Sequence, residues 1–298
     1  MIAAQLQSRP CGQVTVEEFS CGLVNTGERS DALVISLRSY FDDSGDDKQK
    51  KFAAIGGLIA GSGSWTVFDT HWSVATYDLK GPFHATDCEA QKGIFKGWSI
   101  SQSNALMKKL VGIVRLSGVM TFGAIVPIPE YRAVFPNSGP YDPYFLAFTQ
   151  AMINVARMGA DIGTQTIQAV EMRVVVEDGD SSAGAFNIWH NLRRVQSWEH
   201  AKYLTGFSIG PKKLMALQGA DLMAREAYKH ADNLGVRKIR KPVKSLQDRI
   251  SFHLWTRDCL DYLKAKGGPQ NLAALINWGR TEKPPEMTRF FGSTFDNH

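Results

Sequence analysis

Hydrophobic and polar positions along the chain fall into two rhythms. An extended pattern begins at Ala32, and through Arg38 to Asp43 it alternates. Arg38, Tyr40 and Asp42 therefore share one face, and Ser39, Phe41 and Asp43 the other. The polar loop Ser44 to Lys51 leads into Phe52 to Ala60, a run of small and apolar residues that reads as a buried strand, so an antiparallel hairpin is predicted. Further strands are predicted over Val119 to Val126, ended by Pro127 and Pro129, over Met172 to Glu177, and over Tyr203 to Ile209.

Helical spacing marks the segments between them. Ser64 is placed to cap a helix carrying Trp65, Phe68, Trp72 and Leu79, whose aromatics read as core rather than as a base-stacking platform. Other helices are predicted over Ala105 to Leu116, Tyr144 to Met158, Gly184 to Val195, Leu214 to Ala231, Leu246 to Lys264 and Leu272 to Trp278. Mixed elements in this order predict an α/β fold, a central sheet flanked by helices. Residues 1–30 lack a sustained period and read as an N-terminal extension, residues 31–235 as the main domain, and residues 236–298 as a basic linker with a helical C-terminal extension. No internal repeat stands out.

Composition adds little until charge is located. At 298 residues, 44% apolar and 21% charged, the chain is long enough for a substantial core, and disorder is excluded as a class. The most apolar span, Leu110 to Pro129, is interrupted by Arg115, Ser117, Gly118 and Thr121, so no membrane helix is expected and a cytoplasmic location follows by default. Cys11, Cys21, Cys88 and Cys259 form neither zinc-type pairs nor a disulfide framework. The net charge of +5 is modest, but residues 235–244 hold five of the 34 basic side chains and no acid. Arg237, Lys238, Arg240, Lys241 and Lys244 are thus candidate phosphate-backbone contacts, against the plainer reading of a solvated loop broken by Pro242.

The acids carry the chemistry. A strand has little reason to end in the adjacent carboxylates Asp42 and Asp43, because close negative charges cost free energy unless a cation or solvent compensates. Glu177, Asp178 and Asp180 crowd a second strand end, where the place of Gly179 excludes an EF-hand loop. Asp221 lies on a helix that also carries Gln218 and Arg225 on one polar face. If the two acidic strands are neighbours, Asp42, Glu177 and Asp221 converge on one site, with Asp43, Asp178 or Asp180 as further ligands. Mg²⁺ or Mn²⁺ takes such hard oxygen donors, and two ions about 3.5 to 4 Å apart serve phosphodiester hydrolysis. Gln218 would orient a water or phosphate. His84 and Asp87, three apart, are either an added ligand and orienting pair or a local cap. The plain alternative makes all the acids caps and turn residues.

Two boxes, Tyr40-Phe41-Asp42-Asp43-Ser44-Gly45 and Leu217-Gln218-Gly219-Ala220-Asp221, resemble those of the bacterial family called domain of unknown function 3800, which is marked by an Asp-Glu-Ser-Gly box and a Gln-x-x-Asp box. The likeness spans roughly Tyr40 to Tyr228. It implies a ribonuclease H-like mixed sheet and metal-dependent nucleic-acid chemistry, with Asp42 as the first-strand acid, Glu177 as the later strand-end acid and Asp221 as the helical acid. Asp43 departs from the family, which commonly has Glu there. The segment from Trp65 to Asp87 and the region after Val236 are additions to a minimal ribonuclease H, with a substrate channel or a homodimer contact as the roles open to them. The expectation is a two-metal nuclease acting on DNA or RNA. The alternative is a non-catalytic nucleic-acid- or protein-binding module, as used in defence or mobile-element systems.

Overall fold

A computed structural model of the chain describes residues 34–45, 50–166, 168–238, 240–246, 249–278 and 288–290. The expected extension 1–30, with Cys11 and Cys21, lies outside the described residues. The fold is α/β, built on one mixed sheet flanked by helices on both faces.

Six strands, β1 (Val34–Ser44), β2 (Phe52–Gly61), β3 (Met120–Pro127), β4 (Ala169–Glu177), β5 (Leu204–Gly210) and β6 (Ile250–Leu254), run in the order β5-β4-β1-β2-β3-β6, and the three-residue β7 (Thr288–Phe290) pairs with the β6 edge. The predicted hairpin is present: β1 and β2 are antiparallel, as are β2 and β3. β4 joins β1 in parallel and β5 joins β4 in parallel. The alternation read along β1 separates two cores. Tyr40 packs on one face with Leu58, Trp65, Phe68 and Trp72, and Phe41 on the other with Ile55, Phe122 and Phe148. Every residue of β2 from Ala53 to Ala60 is buried, as expected of a central strand covered on both sides.

The Tyr40 face is covered by α1 (Ser62–Ala75), α2 (Ala85–Ala90), α3 (Ile100–Leu116) and, across the middle of the sheet, the helix Met215–Asn233. The Phe41 face is covered by α4 (Ile128–Val134), α5 (Pro143–Thr166) and α6 (Ser182–Arg193). In chain order Met215–Asn233 is α7, followed by α8 (Lys241–Ser245), α9 (Arg257–Ala265) and α10 (Leu272–Ile276). Trp65, Phe68 and Trp72 are fully buried, so the aromatic stripe is core. Gly56 explains how α7 comes so close. A Cβ there would fall inside van der Waals contact with the backbone of Ala224, so only glycine lets the helix lie on β2 at this point.

Three predicted boundaries change for local reasons. The helix expected at Ala105 begins at Ile100, because Ser99 and Gln102 form a reciprocal capping box: Gln102 N–H donates to Ser99 Oγ at 3.2 Å and Ser99 N–H to Gln102 Oε1 at 2.8 Å. α1 starts at Ser62, with Gly61 rather than Ser64 at the N-cap position. The expected helix Leu246 to Lys264 does not form as one element. Ile250 and Phe252 point into the core from a strand that pairs with β3, and the helix begins only at Arg257, where Thr256 Oγ1 accepts from Cys259 N–H at 3.3 Å. Among the described residues after 236, β6 and β7 extend the same sheet, and α9 and α10 add to the Phe41-side layer.

Candidate acidic site at the strand ends

Parallel pairing sets Phe41 beside Val176 as the last pair between β1 and β4, and Asp42 and Glu177 are the next residues along on these neighbouring strands. Both point to the α7 side, as Tyr40 and Val175 do two residues earlier. On its other flank Asp42 is paired with Gly56, over which Ala224 rests, and Asp221 stands three residues earlier on α7. Register and close helix approach thus bring Asp42, Glu177 and Asp221 together across a sequence separation of nearly the whole sheet.

The electrostatics follow from that placement. Burial, then Asp221, Glu177 and Asp43, push the Asp42 carboxyl well above the usual carboxylate range, against the pull of the Asp43 N–H that donates to Asp42 Oδ1 at 2.8 Å. Burial also raises Asp221, a side chain 5% exposed, although His84, the Ala85 N–H and Lys212 pull it back. Asp43 faces the other side of the sheet and is likewise raised by burial. It accepts a hydrogen bond from Ser181 Oγ at 3.1 Å. Lys212, in the turn between β5 and α7, is the cation of the cluster. Its Nζ is 3.3 Å from Glu177 Oε1, and Glu177, Asp221 and Asp42 together outweigh burial and raise its proton affinity.

His84 and Asp87 join this group. The Ala85 N–H donates to Asp221 Oδ2 at 2.6 Å, His84 Nε2 lies 3.9 Å from Asp221 Oδ1, and His84 Nδ1 lies 3.4 Å from Asp87 Oδ2. The strap that delivers them is held by Gln218. Its Oε1 accepts from Phe83 N–H at 3.0 Å and from Trp72 Nε1 at 3.2 Å, while its Nε2 donates to the Lys213 carbonyl at 3.3 Å. The Gln218 amide is thus committed to protein partners and buried, which corrects its expected role in orienting a water or phosphate. Arg225, on the same helical face, pairs not with Asp221 but with Glu89, at 2.8 Å from Nε.

A cleft of about 440 Å³ opens at these strand ends, lined by residues that include Asp42, Asp43, Asp142, Glu177, Asp178 and Asp180 together with Tyr144 and Ser181. Asp178 and Asp180 are exposed on its rim and are not among the groups that perturb Asp42. Among the described residues no lysine or arginine lines it. The chain matches no family model, and no curated protein is significantly similar to it.

All the donors facing Asp42 and Asp221 that bear negative charge are carboxylate oxygens, the chemistry that Mg²⁺ and Mn²⁺ take. Burial is the first cause of the raised proton affinity of both Asp42 and Asp221, the neighbouring acids add to it, and Lys212 opposes Glu177, Asp221 and Asp42. By donor type and charge the set fits a divalent ion. As the side chains stand, no three His, Cys, Asp or Glu groups among the described residues form a ready metal cage.

The basic run divides. Arg240 does not face solvent as a phosphate contact. Its guanidinium forks Glu226, a side chain 1% exposed, at 2.8 and 2.9 Å and reaches Glu89 at 3.2 Å, which corrects its assignment. Arg237, Lys238, Lys241 and Lys244 are exposed. Lys212, Asp142 and Tyr144 are the site residues that sequence reasoning missed. The signal for Lys212 was available: it lies in the turn joining a strand beside Glu177 to the helix of Asp221.

Proposed function

We propose that this is a ribonuclease H-like domain, akin to the domain of unknown function 3800 family, that hydrolyses phosphodiester bonds of nucleic acid with Mg²⁺ or Mn²⁺. Supporting the fold reading is the sense of the first five strands, three antiparallel followed by two parallel on the other side of β1, with acids at β1, at the end of β4 and on the helix after β5. The observation that carries the functional reading is Asp42: a carboxylate at a strand end, buried against Asp221 and Glu177 with too little positive charge around it.

In this reading Asp42, Glu177 and Asp221 hold the cation, with Asp43 beside them. When bound, the ion supplies an activated water and charge stabilisation for the leaving oxygen. The remaining work belongs to the chain. Lys212 faces Glu177 and Asp221 and gives the anionic cluster a positive edge against which a substrate phosphate can settle. The Ala85 N–H fixes one oxygen of Asp221, leaving Oδ1, near His84, as the oxygen that turns to the site. Gln218 holds the strap so that both contacts persist.

The test is cleavage of labelled single-stranded, duplex and hybrid substrates with Mg²⁺ or Mn²⁺, comparing the wild type with Asp42→Asn and Asp221→Asn. Loss of cleavage in both variants is expected, and persistence in either removes its proposed role. A second reading, a binding module without hydrolysis, draws on the Lys212 to Glu177 pair, since a tethered ammonium already supplies part of the missing charge. It expects Mn²⁺ to leave the melting temperature unchanged, whereas a metal-holding site stabilises the fold by mass action.

A further inference from the structure

The structure contains a second cleft, larger and of opposite sign. A groove of about 720 Å³ runs between α3 and α8. Met107 and Val111, both buried, and Pro242 give it an apolar floor, while Lys108, Arg115 and Lys241 stand exposed along it. Glu89, the acid that lines it among the described residues, is already occupied. It accepts from Arg225 at 2.8 Å and Arg240 at 3.2 Å, and Lys229 Nζ lies at 3.5 Å. Arg240 is spent in turn on Glu226 and Glu89. The three exposed cations make no ion pair among the described residues, so the groove presents net positive charge over apolar surface.

Spacing narrows the ligand. Lys108 and Arg115 are seven residues apart on one helix, and at about 1.5 Å of rise per residue their backbones stand roughly 10 Å apart. That is more than a lone phosphate bridges, whereas a strand carries successive phosphates along such a span. Midway between them is Gly112, where a Cβ would meet nothing within 4 Å, so the groove is open at the point a strand would cross. The groove also adjoins the acidic site. Ala85 and Glu89 stand in the one short helix α2, the first bonded to Asp221 and the second forming the groove wall.

We propose that this groove holds the sugar–phosphate backbone of a nucleic-acid strand, with phosphates on Lys108, Arg115 and Lys241 and the sugars against Met107 and Val111. The inference rests on the nucleic-acid part of the reading above and not on cleavage.

Binding of a fluorescent oligodeoxythymidylate of about 20 nucleotides to the full chain, by anisotropy in EDTA, tests it. Three phosphate contacts on a single strand give a log–log salt slope near −2, so affinity falls roughly 20-fold between about 50 and 200 mM salt. Gly112→Glu, which sets a carboxylate in open space, is expected to weaken binding about tenfold or more at low salt, and Gly112→Ala to leave it unchanged. The pair Lys108→Glu and Arg115→Glu repeats the loss by a separate route, and thermal unfolding of each variant checks that the fold is kept. Equal binding by wild type, Gly112→Glu and the charge-reversed pair would overturn the proposal. So would absence of binding by the wild type, or competition by a mononucleotide as effective as by the strand. Groove-dependent binding without cleavage removes the hydrolytic reading alone, and cleavage with binding indifferent to Gly112 removes the groove alone.

Discussion

Replacing Gln218 distinguishes a chemical role from a structural one. Its Oε1 satisfies two buried donors, the Trp72 indole N–H and the Phe83 backbone N–H, and its Nε2 satisfies the Lys213 carbonyl. Gln218→Met keeps most of the volume and removes all three bonds. A buried polar group left without its partner costs about 1–3 kcal/mol, so the two donors alone predict a loss of about 2–6 kcal/mol. That is a large part of the roughly 5–15 kcal/mol by which a folded domain is stable. Urea unfolding followed by tryptophan fluorescence measures the loss as a lower midpoint at unchanged slope. A second readout belongs to the strap. The amide of Ala85 should exchange faster in the variant, because Phe83 no longer pins the segment whose next turn reaches Asp221. A stability change below about 1 kcal/mol with protection at Ala85 intact would refute the structural assignment and return Gln218 to the list of groups free to meet substrate.

Two further predictions follow from charge. Burial and the neighbouring acids raise the folded-state pKa of Asp42 above the value of about 3.9 expected when unfolded. The stability this contributes is therefore fully present below that pH and is lost as pH rises through the raised value. Asparagine keeps the acceptor used by the Asp43 N–H and has no proton to lose, so in EDTA at neutral pH Asp42→Asn should melt above the wild type, the gap closing toward pH ~4. A melting temperature at or below wild type across the range contradicts the burial argument. In the basic run, Arg240→Met strands the buried Glu226 and should cost about 3–5 kcal/mol, whereas Lys238→Met at an exposed position should stay within about 0.5 kcal/mol. Equal urea midpoints for the two would refute the distinction.

The division between what the chain shows by itself and what it hides follows interaction range. The alternation of β1 displayed that Asp42 and Asp43 face opposite sides of the sheet, and the β-branched run ending at Glu177 displayed a second strand terminus, because both are patterns within one element. Gln218 and Asp221 were equally visible as a helical face. Their roles were not, since helical spacing does not say that the face turns inward onto Trp72 and Phe83. Arg240 reads as one more solvated cation among five, because its partners lie outside the run, Glu226 14 residues away and Glu89 151. β6 was hidden for another reason. Five residues between two helical stretches carry too few alternations to separate a strand from a helix turn, and the free edge of β3 decides the matter.

One consequence concerns how the acids are kept together at all. Three carboxylates with inadequate counter-charge repel, and nothing in β1 or β4 alone prevents the strand ends from fraying apart. The restraint comes from uncharged contacts placed around them: Gly56, which admits the Ala224 backbone; the Gln218 amide, which holds the strap; and the Ala85 N–H, which grips Asp221. These groups hold the acids close, and burial, with the neighbouring acids adding to it, raises the proton affinities of Asp42 and Asp221. A fold that needed these acids only as caps would gain stability by separating them. Here the packing works against that separation, which is the physical reason to read the strand ends as a site built for a cation.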